Sequence, residues 1–450
     1  MKFSSKVQKC GLSPMRKFHP YAVAAEAKGR KIYHLNIGQP DIETPKAYFE
    51  AVRHFDLPVL EYAPSPGMPV LIDAIRHYYD KLDMHFDAGD ILITNGGSEA
   101  LQIAFNCILD DGDEVLIPEP FYPNYNTMVR TCGASIHPIP TSPHQGYRYA
   151  DRARIEAEIN EHTRAIVCTN PGNPTGVVLT PEEMRMLVDV AKERGLFIIG
   201  DEAYREFVYA GEPLQSMGQF ADAAENVIVI DTVSKRFSAC GARIGCLITR
   251  NRELMAHAMK YAQCRLSVPT LDQVAAAALY DVGPEYFAAV REEYKRRRDT
   301  VMQKLQAIPG VVCECPKGAF YVMAALPVDA GMDPDEENGW MTRWVNDKVS
   351  MLRANFPGES LQAVAKHLAD QHNPVAYVKS LDFAPEYVSC EYHTAYSNPD
   401  FIPKLQAMGI KVALWTVDTE KAVRSLLPLG PDCLVTNRPD RVREWVEENQ

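Results

Sequence analysis

The chain has 450 residues, 46% of them hydrophobic and 24% charged, with 47 basic against 59 acidic side chains and a net charge of −12. That length holds two or three domains with cores of their own. The acidic balance argues against a nucleic acid or an anionic membrane as partner, because no basic face dominates.

No apolar run approaches the ~18 residues of a transmembrane helix, and the first residues lack the apolar core of a secretory signal. A cytoplasmic protein with a small-molecule partner is therefore expected. The 11 cysteines fall mostly in apolar stretches such as AFNC and AIVC. They read as buried thiols of a reduced compartment. Cys313 and Cys315 have Cys-x-Cys spacing without a matching second pair, and His-Glu-x-x-His does not occur, so no metal site is expected.

Between about residues 90 and 250, short β-rich runs alternate with helical ones. Strands are predicted at DILIT (90–94), EVLIP (114–118), ASIHPI (134–139), RAIVCT (164–169), LFIIGD (196–201), NVIVID (226–231) and IGCLIT (244–249). A helix is predicted over 181–194, with Thr180 as N-cap ahead of acidic first-turn residues. The alternation predicts an α/β fold, a mostly parallel sheet between helices. Residues 272–308 read as helix, and 311–327 as a strand pair broken near Pro316, Lys317 and Gly318. DAGMDPDEENG (329–339) is a turn-rich acidic linker, and 340–450 carries helix and strand signals of its own.

The joints between these elements carry chemistry. GGSEAL (96–101) follows a strand and opens a helix, where free N–H groups and the helix dipole favour an anion; a plain serine N-cap explains the same residues. Phe121 and Tyr122 follow EVLIP, where an aromatic either stacks on a flat ring or packs in the core. NPGNPTG (170–176) is a rigid loop that presents the Asn173 amide. Asp201 ends a strand, at the place where a carboxylate meets a ligand crevice, with Tyr204 three residues on; the ordinary alternative is a capping aspartate and a core tyrosine. In SKRFSACGARIG (234–245), Lys235 stands with Arg236 and Arg243. A lysine attacks carbonyls only when desolvation or a nearby cation lowers its pKa, and most Lys–Arg pairs at such spacing are solvated surface charges. Together these residues suit an aldehyde cofactor with a phosphate tail. They offer an amine, an anion for a ring nitrogen, a phosphate cup, a ring platform and a donor to a ring oxygen.

Taken in order, GGSEA, FYP, NPGNPTG, DEAY and SKRFSACGARIG resemble the fold-type I pyridoxal-phosphate enzymes, specifically the class I/II aminotransferases, over roughly residues 10–327. The resemblance implies pyridoxal 5′-phosphate as cofactor and transamination between an L-amino acid and a 2-oxo acid. It implies Lys235, Asp201 and Tyr204 as catalytic residues: Lys235 as Schiff-base lysine and proton shuttle, Asp201 on the pyridine nitrogen, and Tyr204 with Asn173 on the ring oxygen. Tyr122 is implied as the stacking ring, and Gly97, Ser98, Ser234 and Arg243 as phosphate ligands. In LNIGQPDIETP (35–45), Gly38 is implied to bind the substrate carboxylate through its backbone, together with Asn173. In EYAPSPGMPVLIDAI (61–75), Tyr62 is implied to reach the phosphate of a neighbouring subunit, which makes the protein a homodimer. A lyase or decarboxylase with the same cofactor, and a cofactor-binding protein with impaired catalysis, share these motifs.

The implied domain plan is an N-terminal arm and part of a small domain (1–45), a cofactor-binding large domain (46–285), the start of the small domain (286–327) and an atypical C-terminal α/β segment (328–450). No strand with the family's carboxylate-gripping arginine follows residue 327. Arg343 and Arg353 fall in helix-like context and read as surface residues. From about residue 374, GIKVALWTVDTEKAVRSLL and PDCLVTNRPDRVREWVEE resemble the last strands and helices of a glycerophosphodiester phosphodiesterase barrel. His-Arg-Gly occurs nowhere in the sequence, so that metal-dependent hydrolysis is expected to be absent. A join between the two parts is expected at 328–340.

Overall fold

The computed structural model describes residues 2–13, 16, 19–209, 214–326, 387–391, 400–415, 417, 419–431, 433–434 and 439–447. Contacts divide the chain into two units, residues 1–21 with 34–336, and residues 22–33 with 337–450.

The first unit is built on seven strands: β1 (Ile91–Thr94), β2 (Glu114–Pro118), β3 (Ser135–Ile139), β4 (Thr163–Thr169), β5 (Phe197–Asp201), β6 (Val227–Thr232) and β7 (Gly245–Ile248). Their order in the sheet is β1-β7-β6-β5-β4-β2-β3. Only β7 is antiparallel to its neighbours, β1 and β6; the other pairs are parallel. Each strand lies within one residue of its predicted bounds. All but the edge strand β3 are mostly buried on both faces, as a sheet covered on both sides requires, whereas β3 leaves Ser135 and Pro138 exposed. Ile198 and Val229 face one core with Tyr79 and Leu187. Ile199 and Ile230 face the other with Phe105 and Tyr125.

The helix Pro181–Arg194 shows how local signals and packing agree. Thr180 accepts from the Glu183 amide while the Glu183 side chain reaches back to the Thr180 amide, a capping box that contributes about 1 kcal/mol. Met184, Leu187, Val188 and Ala191 are buried, at the spacing that puts them on one helical face.

Two expectations need correction. Residues 272–308 are two helices, Thr270–Ala277 and Pro284–Gln306, separated because Pro284 opens a new helix at its first position. The predicted strand pair at 311–327 reduces, among the described residues, to a bridge between Val312 and Ala325. Its middle pairs elsewhere: Lys317 and Gly318 donate to the Gly176 carbonyl, and Ala319 donates to that of Phe207.

The second unit contains a parallel sheet of β8 (Tyr387–Glu391), β9 (Lys411–Trp415) and β10 (Cys433–Leu434), with β9 central. The helix Phe401–Gln406 lies between β8 and β9 in sequence, and Glu420–Leu426 between β9 and β10. Phe401, Leu405, Val412, Leu414, Val423 and Leu426 form its core. The expected join at 328–340, and Arg343 and Arg353, lie outside the described residues.

Candidate active site

Strand register brings the predicted residues to one edge of the sheet. Thr169 pairs with Asp201, and Asp201 with Ile230, at the carboxyl ends of β4, β5 and β6. Antiparallel β7 begins at the same edge, with Gly245 opposite both Thr94 and Thr232. The loops after β1, β2, β4, β5 and β6 and the loop before β7 therefore open together, as ligand crevices in α/β sheets do.

Lys235 lies in a single helical turn, Val233–Arg236, directly after β6. Thr232 fixes that turn: its hydroxyl accepts from the Ser234 amide at 3.2 Å, lies 2.8 Å from the Ser234 hydroxyl and donates to the Ile244 carbonyl at 2.9 Å. The Lys235 ammonium is half-buried, donates to the Gly38 carbonyl at 2.6 Å and stands 3.9 Å from Cys240 Sγ. Burial pushes its pKa below the usual lysine range, Arg243 adds to that, and Cys240 and Asp201 oppose it. A Cβ on Gly38 would lie 1.8 Å from the Tyr321 hydroxyl, so the close approach to Lys235 depends on glycine there.

Arg236, by contrast, does not act on the lysine amine. Its guanidinium is fully buried and paired with Asp231, whose side chain is also fully buried. The basic residue that does lower Lys235 is the exposed Arg243. Arg243 adopts a left-handed backbone with φ +52° and donates to the carbonyls of Cys240 and Asn95, each at 3.2 Å. Gly96 makes room for it: a Cβ there would lie 2.3 Å from Arg243 Nη2.

The helix Gly97–Ile108 starts beside this arginine, capped by Gly96 with φ +79° and no side-chain hydrogen bond. Ser98 is therefore inside the first turn and is not the N-cap. The first amides of such a helix have no partner within it. Here they stand next to a cation, a combination suited to a phosphate.

Asp201 is buried, accepting from the Tyr125 hydroxyl at 2.7 Å and from the Ala203 amide at 3.2 Å. The capping role and a ligand-facing place thus coexist. Burial raises its carboxyl pKa although both hydrogen bonds act the other way. Tyr204 is buried with its hydroxyl against that of Tyr321; burial, then Tyr321, hold its pKa well above the usual tyrosine value. Tyr122 is half-buried, accepts from the Asn124 amide at 2.6 Å and meets Tyr125 edge-on. Its charge interactions reach Asp201 and Arg243, so Tyr122, Ser98, Asp201, Lys235 and Arg243 form one cluster.

Asn173 lines a pocket with Phe121, Tyr147 and Thr169, and none of the five side chains of the cluster lines that pocket. Tyr62 stands apart, with 79% of its surface exposed; it is not a core aromatic. Tyr125 and Tyr321 were not singled out from the sequence. Tyr125 follows Tyr122 by three residues in the same aromatic segment, a usable signal, whereas Tyr321 is hidden inside the apolar run AFYVM. The cysteines divide more evenly than expected. Cys132, Cys168 and Cys246 are buried, while Cys264, Cys315 and Cys433 are exposed.

An amine with a lowered pKa, a buried carboxylate, an aromatic ring, and a helix N-terminus with an arginine match the functional groups of a phosphorylated pyridine aldehyde. The donor set fits that group.

Comparison with known proteins agrees. The profile of the family described as aminotransferase class I and II matches residues 30–372. That match begins and ends later than the 10–327 read from the motifs. The profile of the glycerophosphoryl diester phosphodiesterase family matches 341–441, overlapping the first over residues 341–372, outside the described part. A probable aspartate/prephenate aminotransferase of Aquifex aeolicus is 32% identical over 324 residues, covering 71% of this chain and 82% of its own. A probable N-acetyl-LL-diaminopimelate aminotransferase of Bacillus subtilis is 34% identical over 325 residues, covering 71% and 80%. Among solved structures, the aspartate aminotransferase of Thermus thermophilus with maleate matches at TM-score 0.66 and 30% identity, covering 72% of this chain and 85% of its own. The alanine aminotransferase of Pyrococcus furiosus matches at TM-score 0.69 and 28% identity, covering 77% and 88%.

Proposed function

Because this chain belongs to the class I and II aminotransferases, whose reaction is pyridoxal-phosphate-dependent transamination, we propose that Lys235 is the amine that holds the cofactor and carries the substrate proton. The observation that carries this reading is the half-buried Lys235 ammonium, with its lowered pKa, at the strand edge shared with Asp201 and Arg243. When bound, the cofactor supplies an electron sink for the carbanion left by loss of the α-proton.

This chain's residues do the rest. With the cofactor bound, Asp201 would hold the ring-nitrogen proton, Tyr122 would support the ring face, and Tyr204 and Asn173 would serve the ring oxygen. The helix beginning at Gly97 and Ser98, with Ser234 and Arg243, receives the phosphate. Gly38 would offer its backbone, and Asn173 its side-chain amide, to the substrate carboxylate. The Lys235 Nζ would carry the substrate α-proton. The substrates are an L-amino acid and a 2-oxo acid. The names of the relatives and structural neighbours favour aspartate as the first donor to test.

The purified holoenzyme, titrated with L-amino acids carrying labelled nitrogen, tests this. Label is expected in the amino acid formed from the added 2-oxo acid, with the absorbance of the bound cofactor changing in step. Release of ammonia or carbon dioxide instead would assign an elimination or a decarboxylation.

The pH profile is also set by this geometry. Asp201 must be ionised to hold the ring-nitrogen proton, and burial raises its pKa. Falling pH therefore protonates it earlier than an ordinary aspartate, and the acid limb of kcat should lie above the usual aspartate range. Asp201→Asn should remove that limb and lower kcat by roughly 10²-fold. An unchanged acid limb in the variant would assign it to another group.

We also propose a homodimer in the cytoplasm, with the domain plan read from the sequence. Leu57, Val59, Leu60 and Tyr62 are 54%, 62%, 66% and 79% exposed, a short apolar run of the kind a partner subunit covers. Light scattering should give twice the mass of one chain, and Tyr62→Ala should weaken cofactor retention. A monomer would remove Tyr62 from the site.

A further inference from the structure

We propose that Cys240 is an oxidant-responsive residue that captures Lys235 in a reversible sulfur–nitrogen cross-link. The cross-link rests on the two side chains alone; its meaning as regulation rests on the role given to Lys235 above.

Two nucleophiles meet in one short loop. Cys240 Sγ is 3.9 Å from Lys235 Nζ, and its thiol donates to the Ser234 carbonyl at 3.2 Å. The loop is held in that shape from both sides. Arg243 donates to the Cys240 carbonyl at 3.2 Å, and the Ala242 amide donates to the Ala239 carbonyl at 3.2 Å. Cys240 is half-buried, so a small oxidant or dithiol can reach it. Nearby Cys246 is buried beneath the sheet, among Asp231, Arg205 and Arg236, and has no amine beside it in that set. Burial lowers the pKa of the Lys235 amine, which raises the share of its neutral, nucleophilic form relative to an exposed lysine.

The chemistry balances with a hydroperoxide as oxidant. Cys240 sulfur attacks one peroxide oxygen, the O–O bond breaks, and water leaves, which oxidises the thiol to a sulfenic acid and reduces the peroxide. The Lys235 nitrogen then attacks that sulfur. An S–N bond forms, the S–O bond breaks, and hydroxide leaves with the amine proton as a second water. The chain has lost two hydrogens. An external dithiol reverses the step by reducing the S–N bond and becoming a disulfide. With Lys235 tied to sulfur, it can neither hold cofactor nor carry a proton. A holoenzyme whose lysine is bound to cofactor is shielded, and one exposed to amino donor, with the lysine released, is not.

The test treats holoenzyme with hydrogen peroxide, with and without an amino donor, followed by peptide mass mapping and assay before and after dithiothreitol. Expected are a peptide spanning 235–240 that is two hydrogens lighter, more of it with donor present, and loss of most activity, restored by dithiothreitol. Cys240→Ala and Cys240→Ser, each compared with its own untreated activity, should resist. Oxidation of Cys240 that stops at sulfinic acid, or equal inactivation of both variants, would overturn the proposal. The mass shift is read independently of turnover, so a cross-linked protein without transaminase activity would sustain this inference and reject the function instead.

Discussion

Replacing Lys235 by alanine should abolish transamination, with kcat falling roughly 10⁴-fold, the full range of a general acid–base contribution, while the fold is retained. Two functions leave with one side chain, covalent retention of the cofactor and proton transfer at the substrate carbon. Lys235→Arg should fail equally, because a guanidinium keeps the charge but not a nucleophilic amine. The folding readout should barely move. Lys235 is half-buried, and its recorded contacts are one hydrogen bond to the Gly38 carbonyl, the Cys240 sulfur and a distant Tyr204 ring. Cofactor should still associate through Arg243 and the helix beginning at Gly97, but be lost on dialysis. The check is single-turnover nitrogen transfer alongside circular dichroism. Near-normal turnover in the alanine variant would exclude Lys235 as the reacting amine.

The largest stability effect is expected one residue away. Asp231 and Arg236 are both fully buried and bracket the turn that carries Lys235. Asp231 also accepts from the Tyr79 hydroxyl at 2.8 Å and the Thr232 amide at 2.7 Å. The Arg236 guanidinium lies 4.6 Å from the Tyr78 ring centroid, and its Nε and Nη1 have no hydrogen-bond partner among the described residues. Asp231→Asn therefore leaves a buried cation without a counter-ion, which should cost about 3–5 kcal/mol. Replacing both, as Asp231→Leu with Arg236→Met, removes the stranded charge and should recover most of that loss. Urea melts of the wild type, Asp231→Leu, Arg236→Met and the double variant form the cycle that checks it. A double variant as unstable as the sum of the singles would mean that the pair is not coupled.

How much of this was legible beforehand depended on the range of the interaction. Each of the seven strands is a short β-rich run bounded by turn residues, and the helix at 181–194 carries its own cap, its acidic first turn and its buried face. Local signals sufficed there. They failed at 311–327, where a strand pair was expected but only Val312 and Ala325 bridge, and the middle residues donate to Gly176 and Phe207, far away in sequence. Arg236 was misread for a similar reason. Spacing relative to Lys235 does not reveal that Asp231 and the rings of Tyr78 and Phe237 lie against its guanidinium. The motif residues of the site were legible because the sheet brings its loop ends to one edge by topology alone, whereas the contacts of Tyr125 with Asp201 and of Tyr321 with Tyr204 are set by packing.

The central claim, that Lys235 is the amine bound to the cofactor, is tested most directly by reducing the holoenzyme with sodium borohydride and mapping the modified peptide by mass spectrometry. A pyridoxyl group on Lys235 is the expected result. A pyridoxyl group on another lysine, or no covalent adduct in a protein that retains full cofactor and activity, would contradict it.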